Sequence, residues 1–243
     1  MESQSLKEKS ILITGASRGV GRAIALACAG QGANVILAGR NIERIEEVGQ
    51  EIQRMGGSAQ SFTFDLESEA SIQHATQTIL NQVGEVDVLI NNAGLGHWSK
   101  IHDTPVEVWD QVMNVNYRST FLMCKYLLPH MYEREKGHII NISTVMTSRG
   151  VENMSAYVSS KAAVDAFTRC LYTEAKPHNV KVTLLSPSTI DTEFRDQMTE
   201  RPPMTDSQRE KMLQPSDVAD AVLYVLNTSP RAHPVSLNIE MQG

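Results

Sequence analysis

Tyr157 and Lys161 stand four residues apart in a stretch, 155–176, that reads as a helix. That spacing sets both side chains on one helix face. A free phenol titrates near pH 10, too high to exchange protons readily at neutrality. An ammonium about 4 Å away, at an effective dielectric constant of about 20, favours the phenolate by about 4 kcal/mol, or about 3 pKa units. The pair is a candidate proton-transfer device, with the lysine expected to bring the tyrosine near working pH. A second group lies near the start, where Thr14-Gly15-Ala16-Ser17-Arg18-Gly19-Val20-Gly21 joins an apolar run to a helical one. Gly15 suits a tight turn, Gly19 lets backbone approach a pyrophosphate, and Gly21 lets helix and strand pack closely. The helix N-terminus, around Ser17, Arg18 and Val20, offers N–H groups and a positive dipole end to the phosphates. Position between a first strand and a first helix makes this a dinucleotide loop rather than a mere glycine-rich turn.

The next strand ends Leu37-Ala38-Gly39-Arg40. A site for NAD places Asp or Glu in this region to hold the ribose hydroxyls. Gly39 is there instead, and Arg40 follows. With Arg18, it supplies two guanidinium groups that can flank a 2′-phosphate bidentately. The expected cofactor is NADP(H).

These groups need a scaffold that brings residues 15 and 157 to one place. Short β-rich runs at 10–13, 34–38, 58–64, 86–90, 138–142, 180–185 and 235–239 alternate with helical ones at 20–31, 41–55, 68–82, 105–135, 155–176 and 215–226. Helix 41–55 is amphipathic, with Ile42, Ile45, Val48 and Ile52 on one face, and Gly56-Gly57 stops it. The stretch 193–213 is polar and irregular, with Pro202-Pro203 inside. Strands alternating with helices of ten or more residues form a parallel sheet covered on both faces. The near-continuous apolar strands agree with burial on both sides. The expected fold is α/β, a doubly wound parallel sheet of Rossmann-like three-layer α/β/α architecture. With neither linker nor repeat, residues 1–243 read as a single domain.

Asn91-Asn92-Ala93-Gly94 follows the fourth strand. Together with the glycine motif and Tyr157-Val158-Ser159-Ser160-Lys161, it makes the chain resemble the single-domain short-chain dehydrogenase/reductase family, in order and spacing, from about residue 7 to residue 226. The resemblance implies hydride transfer between NADP(H) and a carbonyl or secondary alcohol. Tyr157 would be the general acid/base, and Lys161 would also hold the nicotinamide ribose. Asn92, Ala93 and Gly94 would lie along the cofactor, with Asp65-Leu66 beside the adenine. Pro187, Ser188, Ile190 and Thr192 would lie near the nicotinamide carboxamide. Asn116 matches the family's helix asparagine, whose carbonyl holds a relay water, with Asn114 as competitor. The family's serine, thirteen residues before the tyrosine, is Thr144 here. Strand alternation allows only one of Ser143 and Thr144 to face the substrate, and spacing favours Thr144. Its hydroxyl can donate to a carbonyl as serine does. Ser188, where the family has glycine, is a second departure.

Leu95, Gly96, His97, Trp98, Met146, Met154, Phe194 and Met198 are candidate substrate lining, apolar with adaptable thioethers. Arg149 is a candidate anchor for an acidic substrate, and the 193–213 stretch a candidate mobile lid. Relatives that reduce 3-oxoacyl groups on a carrier protein end near Val-Asp-Gly-Gly. This chain ends Val235-Ser236-Leu237-Asn238-Ile239-Glu240-Met241-Gln242-Gly243, more like relatives acting on small hydroxy acids or ketones. The alternatives are a 3-oxoacyl-carrier reductase and an NADPH-binding sensor that has lost catalysis. Ala162, Ala163 and Ala166 permit close helix packing, so a homo-oligomer, dimer or tetramer, is expected. The 243 residues, 41% hydrophobic and 21% charged with net charge −6, are globular in composition. An acidic chain without a basic run disfavours nucleic acid. No apolar run approaches the roughly 20 residues of a membrane span. The polar start carries no secretory signal. Cys28, Cys124 and Cys170 lack metal or redox spacing and read as inert core thiols of a reducing, cytoplasmic compartment. No metal site is expected.

Overall fold

The computed structural model describes residues 6–198 and 201–242. Among these, seven strands form one parallel sheet in the order β3-β2-β1-β4-β5-β6-β7. The strands are β1 (Ser10–Thr14), β2 (Asn34–Gly39), β3 (Ser58–Thr63), β4 (Val88–Asn91), β5 (Gly137–Ile142), β6 (Val180–Pro187) and β7 (Ser236–Ile239). Between them run α1 (Gly19–Gly30), α2 (Ile42–Arg54), α3 (Glu69–Val83), α4 (Val106–Met113), α5 (Ser119–Glu133), α6 (Ser155–Ala175), α7 (Glu193–Asp196), α8 (Asp206–Arg209) and α9 (Pro215–Leu226). The expected doubly wound, Rossmann-like architecture is present.

Alternation along β1 shows how the two cores form. Ile11 and Ile13 enter one core with residues of α1, α2 and α9, while Leu12 enters the other with α3, α5 and α6. On α2 the stripe Ile45, Val48 and Ile52 is buried, whereas Ile42, expected on the same face, is exposed in the first turn. The chain passes to opposite faces of the sheet after β1 and after β4, which opens a crevice at the C-terminal ends of those strands.

Two sequence expectations change. The helix read as continuous over 105–135 is interrupted by a π-turn, Asn114–Arg118, between α4 and α5. The Asn116 side chain grips the Leu95 backbone there, accepting its N–H at 2.6 Å and donating to its carbonyl at 2.8 Å. Ser119 and Thr120 donate their hydroxyls to the carbonyls of Val115 and Asn116 at 2.7 and 3.0 Å. A helix opened by one residue and re-satisfied by side chains often marks a functional segment. Cys28 and Cys124 are buried, and burial pushes their thiols up to about 12, so they are inert. Cys170, expected in the core, is exposed, because the buried stripe of α6 runs through Val164, Thr168, Leu171 and Ala175 and misses it.

A buried histidine gives the fold a pH dependence. His138 Nε2 lies 2.9 Å from Thr183 Oγ1, whose hydroxyl donates to the Pro234 carbonyl at 2.8 Å. That hydroxyl's only proton is committed, so Nε2 carries the proton of the neutral ring. Burial, and then the charges of His233 and Lys181, pull His138 down to about 3. The unfolded chain binds this proton near pH 6.5, so between 6.5 and 3 it holds more protons than the native state. Stability present above pH 6.5 is therefore lost as pH falls through that window, at up to about 1.4 kcal/mol per pH unit. Urea midpoints at pH 7 and pH 5 check this: the loss is smaller in His138→Gln than in the parent, and equal losses would remove His138 as the cause.

Candidate active site

The C-terminal ends of β1, β2, β4, β5 and β6 open into one cavity of about 410 Å³. At its floor is the glycine loop. Gly15 and Gly19 have φ of +68° and +51°, the left-handed region that favours glycine. A Cβ on Gly21 would lie 2.2 Å from the Gly15 carbonyl oxygen, so the expected role in close packing is met. Arg18, at the N-cap of α1, is extended and gives no side-chain cap, and no acidic residue occupies the first turn. The leading amides of α1 are thus left for an anionic group. Ser17, Val20, Ala93 and Gly94 also line the cavity. Asn92 lines it too and pins the loop, donating from Nδ2 to the carbonyls of Thr14 and Gly15 at 2.9 and 3.3 Å.

Beyond the loop lie Gly39, Arg40 and Arg44. Arg18 pairs with Glu193 at 3.0 Å and with Gln197 at 2.5 Å. Arg44 reaches Glu193 at 3.9 Å, and Arg40 reaches Glu67 at 3.9 Å. Such exposed pairs contribute at most about 1 kcal/mol and yield readily to a doubly charged phosphate. Arg44 was not foreseen, although it stands one helical turn after Arg40. Leu66 lines the cavity as expected. Asp65 does not; its carboxylate accepts the Glu67 N–H at 2.9 Å.

On the other side lie Thr144, Tyr157 and Lys161. Ser143 lines the cavity too but turns its hydroxyl to the Asp165 carboxylate, while the Thr144 hydroxyl acts on Tyr157. The Tyr157 ring packs against Phe194, centroids 5.6 Å apart. Burial pushes the phenol up to about 12, opposed first by the charge of Arg201 and then by the Thr144 hydrogen bond. The lowering expected from Lys161 is not among these influences. Lys161 Nζ is instead held by the Ile142 carbonyl at 2.8 Å, and burial draws the amine itself down to about 8. Asn116 does not line the cavity. Besides gripping Leu95 it donates to Ser160 Oγ at 2.9 Å, which ties the π-turn to α6 just beside Lys161.

Pro187, Ser188, Ile190 and Thr192 close the wall between the two ends. Ser188 is buried, and its hydroxyl has no partner among the described residues. Of the expected substrate lining, Leu95, Met146, Met154, Phe194 and Met198 face the cavity, and Gly96, His97 and Trp98 do not. Arg149, the candidate anchor, does not line the cavity and lies 3.7 Å from Glu240. The 193–213 stretch, expected to be irregular, holds α7 and α8. Arg209 fastens it through Asp191 and Asp196, both at 2.6 Å, and residues 199–200 lie outside the described residues.

In an acidic protein this cavity is cationic. Among the described residues its wall carries Arg18, Arg40, Arg44, Arg195, Arg201 and Lys161 against the single carboxylate of Glu193. Glycine cradle, free helix amides, arginine cluster and orphaned Ser188 hydroxyl together fit a phosphorylated dinucleotide laid across the strand ends. The family model described as short chain dehydrogenase matches residues 9–203. The chain belongs to that family. It is 35% identical over 221 residues to an uncharacterized oxidoreductase of Staphylococcus epidermidis, covering 91% of this chain and 92% of that one. It is 36% identical to a fatty acyl-CoA reductase of Acinetobacter baylyi, over 94% and 76% of the two chains. Among solved structures, a metagenomic short-chain oxidoreductase in complex with NADP superposes with a TM-score of 0.86 at 29% identity, covering 98% of this chain and 100% of that one. An alcohol dehydrogenase of Thermococcus sibiricus complexed with 5-hydroxy-NADP gives a TM-score of 0.86 at 27% identity over 95% of each chain. Short-chain dehydrogenases are oxidoreductases, and no helix among the described residues is long and apolar enough to cross a membrane.

Proposed function

We propose that this oxidoreductase uses NADP(H) to interconvert a carbonyl and a secondary alcohol. The observation that carries the reading is that the half-buried Tyr157, with Thr144 and Lys161, lines the same cavity as the glycine loop. A bound nicotinamide supplies or accepts the hydride. The chain's own residues do the rest. Thr144 and Tyr157 hold the substrate oxygen between two hydroxyls. Tyr157, neutral far above physiological pH, gives its proton to that oxygen as a general acid in the reductive direction. Lys161, fixed by the Ile142 carbonyl, is a cation for the ribose side of the cofactor, and Asn116 holds the π-turn behind it. Arg18, Arg40 and Arg44 take the 2′-phosphate, and the amides at the start of α1 take the pyrophosphate. The exposed Ala162 and Ala166 with the half-buried Ala163 on α6 are the surface for a second copy of the chain, which sedimentation equilibrium reads directly.

Oxidation of NADPH against a panel of ketones, 3-oxo acids and 3-oxoacyl thioesters tests the reaction. Turnover of at least one class is expected. Tight NADPH binding with no turnover of any class would overturn the enzyme reading in favour of a nucleotide-binding sensor.

Cofactor choice has its own test in Gly39→Asp. A Cβ on Gly39 meets only Ile45, at 3.2 Å from Cδ1 and 3.4 Å from Cγ1, so the side chain can enter with a small shift of Ile45. A carboxylate there repels a 2′-phosphate and accepts from ribose hydroxyls. The ratio of kcat/KM for NADPH over NADH is expected to fall about tenfold or more, equivalent to about 1.4 kcal/mol. An unchanged ratio would sink the assignment of the arginines to a 2′-phosphate.

A further inference from the structure

The arginines around the cavity are not alike. Arg18 and Arg44 pair with Glu193, and Arg40 with Glu67. Arg195 donates to the Pro202 carbonyl at 2.9 Å. Arg201 has no carboxylate among the described residues. Its guanidinium lies over the Trp98 ring, 4.9 Å from the centroid, and among the described residues its one hydrogen-bond contact is a thioether, Met198 Sδ, 3.4 Å from Nη1. Its Nε is buried without a partner among the described residues. A guanidinium carries five N–H donors in a fixed fork, and on this half-buried side chain the buried Nε–H is the donor whose unmet bond is costly.

The position of this fork tells which ligand it serves. The phosphate-binding groups gather around the glycine loop and the end of β2. Arg201 is instead on the reacting side: its charge acts on Tyr157, and it lines the cavity with Phe194, Met146, Met154 and Met198. Arg195 adds a second positive charge, and their repulsion joins burial in drawing Arg201 down to about 10. A cation so placed gains from any anion that enters. A planar carboxylate matches the fork in two parallel hydrogen bonds.

We propose that Arg201 is the specificity-determining residue of the substrate pocket and takes a carboxylate of the substrate, so that the physiological substrate is an oxo acid or the corresponding hydroxy acid. The carboxylate sits on Arg201 and the reacting oxygen on Thr144 and Tyr157. The chain between them runs along the methionines, which adapt to its length. The assignment rests on the carbonyl–alcohol reading above, and it places the acid anchor at Arg201 where sequence had suggested Arg149.

A matched pair of substrates separates the carboxylate from everything else: 3-oxohexanoate and its methyl ester, with the parent, Arg201→Gln and Arg201→Lys. In the parent kcat/KM for the acid exceeds that for the ester by at least about tenfold. In Arg201→Gln the acid loses about 100-fold, mostly in KM, and the ester loses at most a tenth as much. Arg201→Lys recovers part of the acid's loss. Equal losses for both substrates, or a parent that prefers the ester, would overturn the proposal and leave Arg201 as a group acting on Tyr157 or on the fold. Calorimetric titration of the NADP-loaded protein with 3-hydroxyhexanoate adds a readout that needs no turnover. Binding by the parent that is lost in Arg201→Gln supports the anchor even where no ketone is reduced, a result in which the enzyme reading alone fails. Absence of binding by the parent overturns the anchor even where neutral ketones are reduced.

Discussion

Tyr157→Phe is expected to lower kcat by about 10²–10⁴-fold, the range that a positioned general acid contributes. The substitution removes one oxygen and keeps the ring, so the packing on Phe194 survives. Thr144 keeps the Met146 N–H, which it accepts at 3.3 Å, so the stability cost is limited to about 1 kcal/mol. NADPH affinity, measured by fluorescence titration, should change far less than turnover. The pH profile adds a signature. Burial holds the phenol up to about 12, so the acid is fully protonated over any practical assay range. Its own titration therefore gives reduction no pH dependence below that value. Oxidation of the alcohol needs the phenolate, whose fraction rises tenfold per pH unit below the pKa. The oxidative rate of the parent should climb with pH in that way, and Tyr157→Phe should abolish the climb together with the turnover. A variant that reduces its substrate at the parent rate would remove Tyr157 from the chemistry.

The glycine loop, the tyrosine–lysine pair and the alternation of strands and helices along the chain were legible because each is written locally. A glycine with φ of +68° needs no distant partner to reveal itself, and an i, i+4 pair lies on one face in any helix. The failures share a different cause. The π-turn at Asn114–Arg118 exists because Asn116 grips Leu95, twenty-one residues away, and nothing in the helix's own periodicity records that grip. Arg149 and Arg201 are both arginines near pocket-forming segments. Only the folded chain shows that one meets Glu240 and the other the cavity. The effect of Lys161 on Tyr157 was judged from the charge pair alone. Desolvation, set by the whole sheet and two helix layers, is the largest influence on each of the two groups. Sequence supplies the chemical types and their rough meeting point, and tertiary packing decides direction, depth and pairing.

Gly21→Ala is expected to do more damage to the cofactor site than any change to a charged residue. Ala is the better helix former by about 1 kcal/mol, and α1 would gain from it in isolation. The added Cβ, however, falls 2.2 Å from the Gly15 oxygen, 2.8 Å from the Gly15 carbonyl carbon and 2.6 Å from Asn92 Nδ2. Two of the three are backbone atoms of the phosphate loop, and the third is the side chain that pins it. Relief requires the loop to move by about 1 Å against helix and sheet, and overpacking of this kind costs about 1–3 kcal/mol. The clash therefore wins, and for a chain of this size Tm should fall by several degrees, about 2–4 °C for each kcal/mol. The functional loss is larger, since a displacement near 1 Å in a positioning element costs on the order of 100-fold. NADPH affinity is expected to drop by about that factor. Gly30→Ala is the matched control: it is the last residue of the same helix, with nothing within 4 Å of its Cβ position, and the change should leave both Tm and affinity near the parent values. If Gly21→Ala bound NADPH as the parent does, the contact between α1 and the Gly15 turn would not be what shapes the phosphate site. If both variants lost affinity alike, the cause would lie in α1 as a whole rather than in that contact.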